Sequence, residues 1–201
     1  MLRKISAIAI LLFSLILFGL VWAYPPAVGI TSKSKSCLAC HASNGPWQDE
    51  KNTIIDIIDK KSKTSLKQPD GTFLISAHRG ETKELLTVIG RKATDTKEPP
   101  YRNGWILVDP DRIEGNSLSK FASGWAVDLP AACRLVGDKL EGYEGANITA
   151  LQFTLRPSDE ARDAQLSWQI MLTKGESVKG KAKEGMTGNY YEKKVILRVV
   201  N

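Results

Sequence analysis

Asn147–Arg156 reads NITALQFTLR, and Gln165–Leu172 reads QLSWQIML. In the first, Leu151, Phe153 and Leu155 fall at alternate positions. In the second, Leu166, Trp168, Ile170 and Leu172 do the same. A period of two sustained over several residues is the pattern of a strand with one face in a core. Outward from this pair, further short apolar runs stand at Gly71–Ala77 (GTFLISA), Leu85–Gly90 (LLTVIG), Gly104–Asp109 (GWILVD), Gly124–Leu129 (GWAVDL) and Lys193–Val200 (KKVILRVV). Gly, Pro, Asp and Asn clusters punctuate the intervals, with Asp109-Pro110-Asp111 a clear turn. No long amphipathic helix appears after residue 60. The rhythm predicts a mainly β domain over 61–201, an antiparallel β-sandwich. Thr53–Asp59 (TIIDIID) suits a helical face and a strand equally well.

The chain has 201 residues, 42% apolar and 25% charged. Those values exclude collagen-like, coiled-coil and wholly disordered classes. The net charge of +6 falls to +4 once Arg3 and Lys4 are set aside with the leader. The remaining charge is mild and evenly spread, which argues against a nucleic-acid partner.

Arg3 and Lys4 precede an uncharged run from Ile5 to Ala23, followed by Tyr24-Pro25-Pro26. A positive start, an apolar stretch and small residues at Val21 and Ala23 predict a secretory signal over 1–23, cut before Tyr24. The alternative is an uncleaved anchor, since this uncharged run of 19 residues approaches the length of a membrane span. Both readings export the chain to the periplasm or an equivalent compartment. Residues 24–60 then read as an extended arm followed by a segment with a short helix that Asn44-Gly45-Pro46 ends.

That segment holds Cys37-Leu38-Ala39-Cys40-His41, the C-x-x-C-H signature of c-type haem attachment. The spacing has a physical reason. Two thiols add to the two vinyl groups on one porphyrin edge, and the loop between them brings His41 under the iron as proximal ligand. With three Cys and two His in the chain, chance gives the pattern about once in two thousand sequences of this composition. Export adds weight, because c-type haem is attached outside the cytoplasm. The competing readings are a Cys37–Cys40 disulfide beside an incidental histidine, and a zinc site, which needs a fourth ligand. One haem c on Cys37, Cys40 and His41 is the expectation.

Cys133 is the third cysteine, and three cannot all pair among themselves. It follows the end of the 124–129 strand and is the foremost candidate for the distal iron ligand. Its neighbour Arg134 favours a thiolate. Met186, in a Gly/Lys-rich loop, and His78, after the 71–77 strand, remain open alternatives, as does a vacant sixth position. Met171 reads as packing, and Cys133 itself as a small buried hydrophobe if it is not a ligand.

An exported β-sandwich with a sulfur residue after the strand Trp125–Leu129 resembles the haem-binding subunit of ethylbenzene dehydrogenase-like molybdenum enzymes. Those carry b-type haem, so Cys37-Leu-Ala-Cys40-His41 is a departure. The combination of C-x-x-C-H, a sandwich and one more cysteine is similar to the NaxLS-type cytochromes, paired c-type subunits that bind nitric oxide. That resemblance implies a His41/Cys133-ligated haem, a second similar subunit in a heterodimer, and nitric oxide or carbon monoxide as ligand.

A thiolate ligand stabilises ferric iron and lowers the potential, so a gas-binding or electron-transferring role follows. The other class is an ordinary electron-transfer subunit of a periplasmic oxidoreductase, with Met or His as sixth ligand. A third is a β-sandwich binding module without haem. No enzyme constellation is visible. There are two histidines, one committed to haem, and neither a Gly-x-Ser-x-Gly nor a phosphate-binding loop. Any intrinsic activity would belong to the iron. Trp47, Trp105, Trp125 and Trp168 are expected mostly in the core, and exposed sheet edges leave room for a partner.

Overall fold

The computed structural model describes residues 50–93, 102–109, 122–129, 131–174, 177–178, 181–182 and 187–201. A 3-10 turn (Glu50–Asn52) leads into β1 (Thr53–Asp59), β2 (Phe73–His78), β3 (Lys83–Lys92), β4 (Arg102–Val108), β5 (Trp125–Asp128) and β6 (Ala131–Leu135). There follow β7 (Ala146–Pro157), β8 (Ala164–Lys174), the two-residue strands β9 (Ser177–Val178) and β10 (Lys181–Ala182), and β11 (Thr187–Val200). The chain is mainly β. One sheet is four-stranded and antiparallel, in the order β1-β3-β7-β5; the other is five-stranded, in the order β2-β11-β8-β4-β6.

The two sheets share one core. Ile55, Ile57, Leu85, Ile89, Phe153 and Leu155 come from the first sheet; Phe73, Ile75, Trp105, Trp168, Ile170 and Val195 come from the second. Aromatic rings fill its middle. Trp168 meets Phe73 at 5.5 Å and Trp105 at 6.4 Å between centroids, and Trp105 meets Phe153 at 5.9 Å, all edge to face. The outer face of the antiparallel sheet is covered as well. Ile58, Val88 and Ile148 are buried there, with Leu140 and Tyr143 of the β6–β7 connection packed on them.

Every strand expected from alternation is present, and the ambiguous Thr53–Asp59 is a strand. The expectation of a wholly antiparallel arrangement is corrected in the five-stranded sheet, where β2 runs parallel to β11, Phe73 opposite Val195 and His78 opposite Val200. Only strands joined by a hairpin are forced to be antiparallel. β2 and β11 lie at far ends of the chain, so no turn fixes their direction. β6 was not expected: Cys133 lies inside a strand rather than after one. β1 precedes residue 61, so the antiparallel sheet draws one strand from the stretch 24–60. The leader, the arm, Cys37–His41, Trp47, the expected short helix before residue 50, and Met186 lie outside the described residues.

Candidate functional site

β6 is the edge strand of the mixed sheet, and its register fixes what surrounds Cys133. Gly104 pairs with Cys133 on one side and with Met171 on the other, and Met171 in turn pairs with Tyr190. Paired residues share a face. Trp105 and its partner Ala132 belong to the shared core, so Gly104, Cys133 and Met171 point the other way. Along the same outer face stand Ile106 and Val108 of β4, Ala131 of β6, and Ser167 and Gln169 of β8. Ile106, Val108 and Ala131 form a buried cluster of their own. Met171 is 2% exposed and Gln169 5%, while Cys133 is half-buried.

Two details of this face stand out. A Cβ placed on Gly104 would lie 3.8 Å from Cys133 Sγ and 3.5 Å from the Ala132 carbonyl oxygen, so the glycine leaves room for one methyl group beside the thiol. Gln169 Oε1 is buried with no hydrogen-bond partner. Asn103 Oδ1 and the indole N–H groups of Trp105 and Trp168 are buried in the same way, and each such group is costly. Next to Gln169, Glu192 accepts from Ser167 Oγ at 2.5 Å and from the Tyr190 hydroxyl at 3.2 Å.

Arg134 does not support a Cys133 thiolate. It follows Cys133 on the strand, so it turns to the opposite face, and its Nη2 is 3.0 Å from Asp138 Oδ1. That part of the sequence reading is corrected.

The described chain begins at the same end of the fold. Thr53 Oγ1 is 3.0 Å from the Tyr191 hydroxyl, and the Arg91 guanidinium, 1% exposed, donates to Thr53 Oγ1 at 3.1 Å. Tyr191 is the neighbour of Tyr190, which starts the row Tyr190–Met171–Gly104–Cys133 across four strands. Asn103, also at this end, ties the sheets together by donating from Nδ2 to the Ile89 carbonyl at 2.7 Å and to Thr149 Oγ1 at 3.2 Å.

His78 stands elsewhere. It is exposed at the end of β2, opposite Val200, ten residues along β11 from Tyr190. At about 3.3 Å per residue that is roughly 30 Å from the Cys133 row. Its backbone N–H donates to Glu81 Oε2 at 2.8 Å. The Glu81 carboxyl is held below its ordinary value, first by that N–H and then by Lys83.

A shallow cleft at this far end is lined by Arg79, Ser123, Asp159, Glu160, Arg162 and Asp163. Its polar groups serve the fold. Arg79 donates to the Asp159 and Ala161 carbonyls at 2.6 and 2.8 Å, the Arg162 carbonyl accepts from Trp125 Nε1, and Asp163 accepts from the Val199 N–H. Among the described residues, no group of three or more His, Cys, Asp or Glu is placed to hold a metal ion.

Of the expected haem ligands, Cys133 and the alternative His78 lie in the described structure; Cys37, Cys40, His41 and Met186 fall outside it. Sequence reasoning passed over Gly104 and Gln169, and assigned Met171 to packing. A glycine inside a strand is the one local signal that was available, since it commonly marks a close approach. Compared with known protein families, the chain matches no family model. Comparison with curated proteins finds no significant match either.

Proposed function

We propose that this protein is an exported monohaem c-type cytochrome of low potential, with Cys37 and Cys40 linking the haem and His41 and Cys133 as axial ligands. It binds a diatomic gas such as nitric oxide, transfers electrons, or does both. The reading rests on the C-x-x-C-H motif behind an export signal. The observation that carries it further is the position of Thr53. His41 lies twelve residues before Thr53, a length that spans up to about 40 Å. Thr53 touches Tyr191, and the row from Tyr190 to Cys133 crosses three strand spacings, about 15 Å. His41 is therefore within reach of the face that bears Cys133.

The donor set suits haem: an imidazole, a half-buried thiol and an adjoining apolar face with a glycine beside the sulfur. When bound, haem c supplies a one-electron iron centre with an axial position open to exchange. Each cysteine thiol adds across a vinyl double bond, its sulfur bonding to one carbon and its proton going to the other, so attachment consumes no oxidant. His41 and Cys133 would hold the iron, and Cys133, as a thiolate, would favour its ferric state.

The second reading is an electron-transfer subunit with methionine as sixth ligand. Met171 favours it among the methionines, because it is buried on the same face, one strand beyond Gly104. His78, about 30 Å away, is the weaker alternative.

A second, similar subunit is the proposed partner. Leu135 on edge strand β6 is 49% exposed, and Leu129, just after edge strand β5, is 37% exposed. Apolar side chains on strand edges suit a protein contact. Light scattering giving one chain mass would remove the partner.

Haem staining of a denaturing gel tests the whole reading. Wild type should stain, and Cys37→Ser with Cys40→Ser should not. An unstained wild-type band from an export-competent host with haem-attachment machinery leaves a β-sheet binding module instead.

A further inference from the structure

We infer that two copies of this chain meet about a two-fold axis on the β5–β6 side of the fold, with Asp128-Leu129 of one copy against Arg134-Leu135 of the other. The inference rests on the partner reading above and deepens it, since it names the surface and makes the similar subunit a second copy.

Three observations carry it. First, the two sides of the fold differ. On the β1–β2 side the sheet edges are tied together by the stretch 64–68. The Leu66 N–H donates to the Ile57 carbonyl of β1 at 2.8 Å, and the Leu66 carbonyl accepts from the Leu74 N–H of β2 at 3.1 Å. Ser65 bridges to Ile58 and Lys67 to Phe73. On the opposite side, β5 and β6 are the outermost strands of their sheets among the described residues. Only residues 129 and 130 separate them, so both edges lie together. An edge without a cover invites another chain.

Second, two large apolar side chains are exposed among the described residues, Leu129 and Leu135, and both stand on this side. Leu129 also has a φ of 55°, in the left-handed region that bulky side chains avoid. Backbone strain retained at an exposed leucine points to a surface in use.

Third, the charges are self-complementary. Asp128-Leu129 precedes β6 and Arg134-Leu135 ends it, acid and leucine at one end, base and leucine at the other. A two-fold axis across β6 exchanges the ends, so each acid approaches the partner's base and each leucine a leucine. Ala131 and Ala132 between them are small enough to allow close approach. Arg134 holds Asp138 of its own chain at 3.0 Å yet stays half-exposed, and its guanidinium has donors for a second carboxylate.

The experiment is light scattering on the purified full chain over a range of concentrations, with circular dichroism to confirm folding. Wild type should give two chain masses. Leu135→Lys and Leu129→Asn should each give one; asparagine accepts the left-handed backbone, so the turn survives. Asp128→Lys sets a lysine against the partner's Arg134, and Arg134→Glu sets a glutamate against the partner's Asp128. Each alone should weaken association about tenfold or more. Mixed in equal amounts they should associate again, because each lysine then meets a glutamate and each native aspartate a native arginine. A dimer that all four variants keep would overturn the surface, and single variants that stay apart when mixed would overturn the two-fold pairing; both results leave the partner reading standing. A wild-type chain that is single by itself but copurifies with a different, similar subunit would overturn the second copy alone. One chain mass with no companion would end both readings.

Discussion

Gly104 and Cys133 face each other across the β4–β6 pair, and a Cβ on the glycine would lie 3.8 Å from the cysteine's Sγ. A glycine inside a strand forgoes a side chain that could pack and costs about 0.5–1 kcal/mol relative to alanine. Nothing in the backbone requires it here. Its φ is not in the left-handed region, and the nearest atom to the added carbon is 3.5 Å away, an ordinary contact. What the glycine leaves is room for a methyl group in ordinary contact with the sulfur, on the outer face of the mixed sheet.

Gly104→Ala separates that role from stability. The fold should tolerate it, with the thermal midpoint unchanged or slightly raised by the lower entropy of the unfolded chain. If Cys133 is the iron ligand, carbon monoxide association with the reduced holoprotein should slow, because the methyl group occupies space beside the thiol that carbon monoxide would displace. Flash photolysis measures that rate. An unchanged rate together with an unchanged midpoint would mean the space has no part in ligand binding.

Gly90→Ala makes the contrast. A Cβ there would lie 2.8 Å from Ile148 Cα and closer still to the Asn147 carbonyl oxygen. Both are backbone atoms of the central strand β7, paired with β3 along ten residues, and neither can swing aside. The substitution should cost about 3 kcal/mol or more, or prevent folding. Urea unfolding of the two alanine variants side by side tests the distinction. Equal stabilities would show that β7 yields more readily than this close approach implies.

The same packing explains how much could be read in advance. β7 and β8 were legible because their inward residues, such as Phe153, Leu155, Trp168 and Ile170, sit at alternate positions in the shared core. Thr53–Asp59 was ambiguous because both of its faces are covered. Ile55 and Ile57 enter the shared core, while Ile58 is buried and Ile54 packs on the opposite side. A strand buried on two faces loses its alternation. β6 was illegible for another reason: AACRL has no β-branched residue and leaves Leu135 exposed. For the candidate site, C-x-x-C-H is a local pattern that spacing alone displays, and it lies outside the described residues. The company of Cys133 depends on register across three strands, which no local pattern encodes. Hence Gln169 came into view only with the paired sheet, Met171 read as packing until its register beside Gly104 was fixed, and Arg134 was credited with an effect its facing denies.

Tyr143 carries a pH dependence. Its hydroxyl donates to Asp56 Oδ2 at 2.7 Å, pinning the β6–β7 connection onto β1, while Asp56 Oδ1 accepts from Ser65. Burial, then the bond to Asp56 and its negative charge, raise the tyrosine well above its ordinary value near 10. A group whose folded value is raised contributes stability that is complete below the unfolded value and is lost as pH climbs beyond it. Stability should therefore decline above about pH 10. Tyr143→Phe should remove that share of the decline and cost about 1–2 kcal/mol at neutral pH, where a bond to a charged acceptor is lost. Denaturation curves of both proteins at pH 7 and pH 11 measure it. Equal alkaline losses would assign the decline to other groups.

Cys133 and Met171 flank Gly104 on one face, so the axial ligand is decided by replacing each in turn. If the thiolate is the ligand, Cys133→Ala should abolish the thiolate signature of the oxidised spectrum. The reduction potential should rise, because the anionic donor that favours ferric iron is gone. Carbon monoxide should bind faster, with no internal ligand to displace. Met171→Leu should leave spectrum and potential nearly unchanged and cost less than about 1.5 kcal/mol, as volume-conserving apolar exchanges do. The reverse pattern, with Cys133→Ala silent and Met171→Leu losing the low-spin spectrum, would make the thioether the ligand and put the electron-transfer reading first. The two variants thus read the same glycine-centred face from opposite sides, and only one of them can change the iron.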